Sequence, residues 1–195
     1  MKLLVKSSLL LLIVGAISSS CVSPVTIGQR ALEERSVEDI AKDNEIVVDV
    51  NALMAKYETV SVSTEIYEQR IVVYGLLDDK AVLDNFRKDT EAIEGIKQLN
   101  WHVLFMTEEE QTAKEDEMLG FAGALEVKAK AEKDWLETEG INSLNYRVAV
   151  GALGDAYVLG RAFTAGERDK SLTVVRNVEG VTKVVDYVEV RPKEN

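Results

Sequence analysis

The chain has 195 residues, 46% of them hydrophobic, and its 23 basic against 34 acidic residues give a net charge of −11. So acidic a chain disfavours nucleic acid as a partner, because proteins that bind nucleic acid present basic surfaces. The single cysteine, Cys21, excludes a disulfide framework and a multi-cysteine metal site. The sequence contains no phosphate-binding loop, zinc-ligand spacing or dinucleotide fingerprint. We therefore expect neither a metal nor a catalytic cofactor.

The first twenty residues have the pattern of an export signal. Lys2 and Lys6 supply positive charge, an apolar run extends from Leu9 to Ile17, and small residues then lead to Cys21. The uncharged run is shorter than the roughly 20 apolar residues that a membrane-spanning helix needs. The sequence therefore predicts a signal peptide over residues 1–20.

Cys21 resembles the lipidated cysteine of bacterial lipoproteins. That resemblance implies a mature chain that begins at a diacylglyceryl-modified Cys21 and is held on the membrane by acyl chains such as palmitate. Ser18 departs from the pattern, since an aliphatic residue usually stands three positions before the cysteine. An ordinary secretory signal followed by an incidental cysteine is the alternative. Val22 after the cysteine implies sorting to the periplasmic face of the outer membrane, with residues 21–35 as a tether.

Residues 36–106 are predicted to fold as helix, strand, strand, helix, strand. Ser36 is placed to cap a helix whose apolar stripe faces a sheet. A strand is expected from Val60 to Ile66, and residues 68–70 turn it into the next strand. Asp78 or Asp79 is expected to cap the second helix. The stripe of the first helix consists of Ile46, Val50, Leu53, Met54 and Tyr57, and the last strand alternates through Leu99, Trp101, Val103 and Phe105.

Residues 107–120 form an acidic linker with six acidic residues and one basic residue. A charge block of this kind is usually solvated. A second module is predicted over residues 121–191, followed by a tail at 192–195. Its first helix, over 122–139, places Trp135 on the stripe facing the core, and Thr164 with Glu167 has the spacing of a capping box. The stripe consists of Ala124, Val127, Ala131 and Trp135, and a strand follows at Tyr146, Val148 and Val150.

The two modules repeat one plan at a separation of 85 residues. Gly75 and Gly160 each follow a short β-prone run, and Gly95 and Gly180 each follow a glutamate within an apolar context. We expect the first pair to close a strand and the second pair to end a helix as C-cap residues. A structural role explains all four glycines without a ligand.

The repeated pattern resembles the BON domain. The residues that carry the resemblance are Val73-x-Gly75 with Glu94-Gly95-Ile96, and Val158-x-Gly160 with Glu179-Gly180-Val181. It covers about residues 36–105 and 122–190. It implies an α+β fold of two tandem αββαβ modules, each a three-stranded mixed sheet packed against two helices. It further implies a non-catalytic outer-membrane lipoprotein that binds phospholipid, through its second module, and supports envelope integrity.

Charge limits where lipid could bind. The first module carries 7 basic against 14 acidic residues, and the second module with its tail, residues 121–195, carries 11 against 12. An anionic bilayer repels acidic surfaces within about 8 Å, so only the second module can supply a basic patch. The candidate lipid-binding residues are Arg168, Lys170 and Arg176 on its second helix, with Lys128, Lys130 and Lys133 on its first. For each of them a solvated helix face is the alternative.

Enzymatic activity is the least supported function. The only histidine, His102, lies in a predicted strand, and no nucleophile is placed beside it by the sequence. Two non-enzymatic functions remain. Either the second module docks on anionic phospholipid, or the acidic first module and linker bind envelope proteins while the acyl anchor alone holds the protein at the membrane. Since modules of about 70 residues bury only about 60% of their unfolded surface, we also expect the two modules to pack together.

Overall fold

The computed structural model describes residues 34–192. The predicted signal peptide, Cys21, most of the tether and the end of the tail lie outside the described residues. Within them the fold is α+β, with two modules of the predicted order helix, strand, strand, helix, strand. The first module comprises α1 (Val37–Lys56), β1 (Val62–Tyr67), β2 (Arg70–Leu77), α2 (Lys80–Glu91) and β3 (Gln98–Phe105). The second comprises α4 (Gly120–Glu137), β4 (Tyr146–Val150), β5 (Asp155–Ala162), α5 (Ala165–Arg176) and β6 (Lys183–Val190), and α3 (Glu108–Ala113) lies between them.

Each module contains a three-stranded mixed sheet, as expected. β1 pairs antiparallel with β2 and β3 pairs parallel with β2, and β4, β5 and β6 repeat that arrangement. Ser36 caps α1 and Asp79 caps α2 through their side chains, as the sequence predicts. β1 begins two residues later than expected, so that Val60 precedes the strand and is almost fully exposed.

One face of each sheet is covered by the two helices of its own module. In the first module the buried core includes Ile46 and Val50 from α1 with Phe86 from α2. In the second module Trp135 is 1% exposed, and its indole N–H donates to the carbonyl of Ser171 at 3.0 Å. The prediction that Trp135 belongs to the core is confirmed. Among residues 34–192, no helix is both long enough and apolar enough to cross a membrane.

The other faces of the two sheets pack against each other. A separate buried cluster joins the sheets, so that the molecule consists of four layers, helices outside and sheets inside. The expectation that the modules pack together is confirmed. The cluster contains Tyr67, Val72, Ala149, Tyr157 and Leu159, and Tyr74, Val185 and Tyr187 pack around it.

A buried arginine fixes the two sheets to each other. Arg70, at the start of β2, donates to the backbone carbonyls of Tyr187 at 2.7 Å and Gly160 at 2.9 Å in the second module. Its guanidinium also lies 4.0 Å from Glu68 and 3.5 Å from Glu189. Arg191 contacts both of those carboxylates. Because Arg70 is buried, these partners offset the cost of removing its charge from water.

The glycines act differently from the prediction in both pairs. β2 and β5 continue through Gly75 and Gly160 instead of ending there. Their φ values are 145° and 147°, and a Cβ at either would lie within 2.2 Å of a carbonyl oxygen on the neighbouring strand. The reason for glycine is thus the close approach of the partner strand. Gly95 and Gly180 lie in turns with φ of 87° and 93°, four residues after the last helical residue.

Two further predictions are only partly correct. Thr164 caps α5 by accepting from Glu167 N–H, but the Glu167 carboxylate accepts from the N–H groups of Phe163 and Asn142 instead of closing the box at Thr164. The acidic linker is largely helical, because Thr107 and Glu110 form a capping box at the start of α3. A 3₁₀ turn at Glu115–Glu117 follows α3.

Replacing Arg70 by methionine should weaken the contact between the modules. The substitution keeps much of the apolar volume but leaves two carbonyls without their donor and removes a positive charge from beside the buried Glu68. We expect Arg70→Met to lower the free energy of unfolding by about 3 kcal/mol, measured by urea denaturation. Arg87→Met is the matched control, since Arg87 forms an exposed pair with Glu91 and should cost less than about 0.5 kcal/mol. Equal losses in both variants would contradict the role given to Arg70.

Adding a methyl group at Gly75 should lower the stability of the fold, whereas adding one at Gly166 should not. Alanine at 75 would need a positive φ and would clash with Ser61 O, 2.1 Å from the added Cβ. The expected loss is about 2–4 kcal/mol. Gly166 lies in the first turn of α5 with its nearest neighbour 3.9 Å away, so Gly166→Ala should leave stability unchanged or raise it. Thermal melts of the two variants test the contrast, and a neutral Gly75→Ala would refute it.

Candidate functional site

The helix α4 carries a second apolar stripe, which lies next to its buried one. Phe121 is 83% exposed, Leu125 is 55% exposed and Leu136 is 66% exposed. With the exposed Ala129, they recur at i, i+4, i+8 and i+15, which places them on one side of an α-helix. Surface helices of globular domains normally present a polar outer face. An apolar outer stripe of this kind is typical of helices that lie at a membrane interface or bind a partner.

A cleft of about 290 Å³ runs beside the first half of α4, where the two modules meet. Phe121 and Leu125 line the cleft together with Val60, from the segment before β1. Val60 is 95% exposed. Phe121 and Leu125 therefore belong both to the apolar stripe and to the cleft at the junction of the modules.

The polar end of this cleft is a bridge between the modules. The Lys128 ammonium of α4 is ion-paired with Glu65 of β1 and lies 3.8 Å from Glu132. Burial alone would lower the pKa of the Lys128 ammonium, but its ion pair with Glu65 and the nearby Glu132 outweigh burial, so that the pKa is raised. Burial raises the pKa of the Glu132 carboxyl, which lies within the outer stripe of α4. The site thus combines apolar side chains with one ammonium and two carboxylates.

The predicted basic residues do not form a patch of unbalanced positive charge. Lys128 lies in the bridge between the modules, where its ammonium is paired with Glu65. Lys130 pairs with Glu126 at 3.0 Å, and Arg168 pairs with Asp169 at 2.9 Å. The remaining predicted residues are exposed: Lys133 pairs with Glu137, Lys170 donates to the Glu139 carbonyl, and Arg176 has no ion pair within residues 34–192.

His102 lies between the modules, away from the apolar surface. Its ring stacks on Tyr157 with a centroid separation of 4.1 Å, and its Nε2 is 2.7 Å from the Tyr187 hydroxyl. Partial burial lowers the pKa of the His102 imidazole; Asp155 opposes that shift and Lys183 adds to it. These contacts stabilise the sheet-to-sheet packing.

Comparison with known proteins identifies no family. No family model matches the chain, and no curated protein matches it. Among solved structures, it is similar to CdsD, a structural protein of the type III secretion system of Chlamydia trachomatis, with 12% identity, 77% of this chain and 94% of that chain covered, and a TM-score of 0.32. A structure of the CdsD C-terminal domain matches at 12% identity, with 75% and 98% covered and a TM-score of 0.29. TM-scores of this size support no conclusion about fold or function.

Sequence reasoning missed Phe121, Leu125 and the outer stripe. The residues were visible, because each is a large apolar residue on α4 outside the stripe predicted for the core. A helix with apolar residues on two sides is ambiguous from sequence, since either side could be the buried one. Only the position of Trp135 in the core shows that the other side faces outward.

The stability of the fold should depend on pH because the partly buried imidazole of His102 has a lowered pKa. Because the folded state lowers the pKa of His102, the unfolded chain binds the extra proton first, and stability is lost as the pH falls through about 6.5. We expect the urea midpoint to fall between about pH 7 and 5, and His102→Gln to flatten that dependence. The raised pKa of Glu132 acts in the opposite sense, and His102 is the only histidine. An unchanged pH profile in His102→Gln would refute the assignment.

Proposed function

We propose that this chain is a non-catalytic envelope lipoprotein of the BON-domain family that binds a phospholipid membrane through α4 and supports outer-membrane integrity. The observation that carries the proposal is the outer apolar stripe of α4. Phe121, Leu125 and Leu136 project from a helix whose neighbouring face is already buried against the sheet. The resemblance of the repeated Gly75 and Gly160 patterns to BON domains supports the same function.

The proposed contact depends on apolar insertion more than on charge. Full burial of a Leu or Phe side chain is worth roughly 1.5–3 kcal/mol, and three such residues lie on the stripe. The predicted basic residues Lys130 and Arg168 are ion-paired within the protein, and exposed pairs of this kind contribute little. We therefore expect less preference for anionic lipid than the sequence alone suggested.

The lipid anchor on Cys21 is part of the proposal. Acyl chains on Cys21 would hold the chain at the periplasmic face of the outer membrane, and insertion of α4 would then determine how the modules lie on the bilayer. A single apolar contact binds a membrane weakly and reversibly, whereas two signals together give stable attachment. On this proposal, the acyl anchor keeps the protein at the membrane, and α4 determines the orientation of the modules on it.

An adaptor that binds envelope proteins is the second candidate. The observation that favours it is the acidic segment beside the cleft, where α3 and the turn at Glu115–Glu117 carry six carboxylates. Gln111 and Met118 from this segment also line the cleft. A protein with basic residues around an apolar segment would complement that surface. In this case the acyl anchor would be the sole membrane contact.

Vesicle co-sedimentation of residues 22–195, which lack the acyl anchor, separates these functions. The chain should bind neutral phosphatidylcholine vesicles and vesicles containing phosphatidylglycerol, with little loss as salt is raised. Replacing Phe121 and Leu125 together by serine should weaken binding by more than about tenfold. The matched control is Val37→Ser with Val48→Ser, two exposed apolar residues on α1, which should bind as the unchanged chain does.

Two other outcomes of the vesicle experiment would contradict the proposal. Binding only to anionic vesicles, lost in salt and lost in Arg168→Glu with Arg176→Glu, would show a charge-driven contact on α5 and refute insertion of α4. Absence of binding to every vesicle would refute membrane binding by the modules and favour the adaptor.

A further inference from the structure

The cleft between the modules has two chemically different ends. Beside the start of α4 its lining is mostly apolar, with Leu76, Met118, Val150 and Ala152 next to the polar side chain of Gln111. Farther along β1, the lining residues are Ser63 and Tyr74, which are directly paired across β1 and β2, together with Lys128. Ser63 is three positions beyond Val60, or about 10 Å along an extended chain. One end of the cleft therefore suits hydrocarbon and the other suits a polar head group.

The charges at the polar end are of both signs. The Lys128 ammonium lines the cleft and can approach a phosphate, and its partners Glu65 and Glu132, which lie outside the lining, place negative charge beside it that favours an ammonium group. The set carries one positive and two negative charges, which opposes a ligand with a net negative charge. A zwitterion presents a phosphate and an ammonium a few bonds apart and complements both signs.

The size and position of the cleft limit its occupant further. A volume of about 290 Å³ lies at the lower end of the range of ligand pockets, roughly 300–1,000 Å³, so it suits one acyl chain better than two. Phe121 and Leu125 belong both to the cleft wall and to the outer stripe of α4. An acyl chain in the cleft would thus be continuous with the apolar surface that we assign to the membrane.

We propose that this cleft binds a single-chain zwitterionic phospholipid, with its acyl chain between the modules beside α4 and its head group at Ser63, Tyr74 and Lys128. The inference rests on the proposed membrane function and names the ligand of the same surface. On this proposal, the protein binds lysophospholipid in the cleft and also binds the membrane through α4. Both modules contribute to the site, which is incomplete in either one alone.

Calorimetric titration of residues 22–195 with lysophosphatidylethanolamine, kept below its micelle concentration and without vesicles, tests the proposal. We expect saturable binding of one ligand per chain, and at least about tenfold weaker binding of the anionic lysophosphatidylglycerol, since one charge contact worth about 1.4 kcal/mol changes affinity tenfold. Ala152→Phe should fill the apolar end and abolish binding. Ala55→Phe, the same change at an exposed position on α1, should have no effect.

Vesicle binding keeps this test separate from that of the proposed function. Ala152→Phe should lose the lysophospholipid and still sediment with vesicles, whereas Phe121→Ser with Leu125→Ser should lose the vesicles. Should Ala152→Phe fail to fold, Ser63→Val provides a second variant, since valine suits a strand and removes a hydroxyl from the polar end. Absence of saturable binding, or equal binding in Ala152→Phe, would overturn the proposal whatever the vesicles show. Equal affinity for lysophosphatidylglycerol would overturn the head-group assignment.

Discussion

Each module has a sheet with helices on only one face, and this constraint determines the rest of the structure. The uncovered face of each sheet is apolar, with Tyr67 and Val72 in one module and Leu159 in the other, and it must be buried against something. Packing the two faces together buries both at once. Arg70 then fixes their relative position, because its guanidinium bonds carbonyls of β5 and β6. The two modules are therefore one folding unit despite their repeated sequence.

The repeat makes the contact between the sheets nearly symmetric. His102 and Tyr187 are bonded to each other and are 85 positions apart, the separation of the two repeats. Contact between equivalent residues is what a two-fold interface produces on its axis. The symmetry ends at the edges of the sheets, where Lys128 pairs with Glu65 but no equivalent pair forms on the other side within the described residues. The cleft lies on the side with this pair, so the described residues form this cleft on one side of the interface, with the Lys128–Glu65 pair.

The sequence predicts those features of the fold that depend on residues close together along the chain. The order of elements, the cap at Ser36 and the buried stripe with Trp135 follow from local periodicity, and the structure confirms them. The role of Gly75 could not be predicted without the register of β1, because glycine is needed there to admit the Ser61 carbonyl oxygen at close range. Asp43 was missed for the same reason: it lies on α1 and accepts from Glu68 and Gln69, the two left-handed residues of the β1–β2 turn. No local pattern connects a helical aspartate to a turn 25 residues away.

The candidate site depends on the packing of the modules in a way that no single helix could provide. The exposed apolar residues of α1, Val37 and Val48, do not line the cleft, whereas Phe121 and Leu125 adjoin a cleft that exists only because β1 and α4 meet. A ligand in that cleft binds the packed arrangement alone and stabilises it by mass action. The contacts of Arg70 that hold the sheets together thereby also maintain the binding surface. A ligand in the cleft would therefore stabilise the interface, and a substitution that weakens the interface would weaken binding of that ligand.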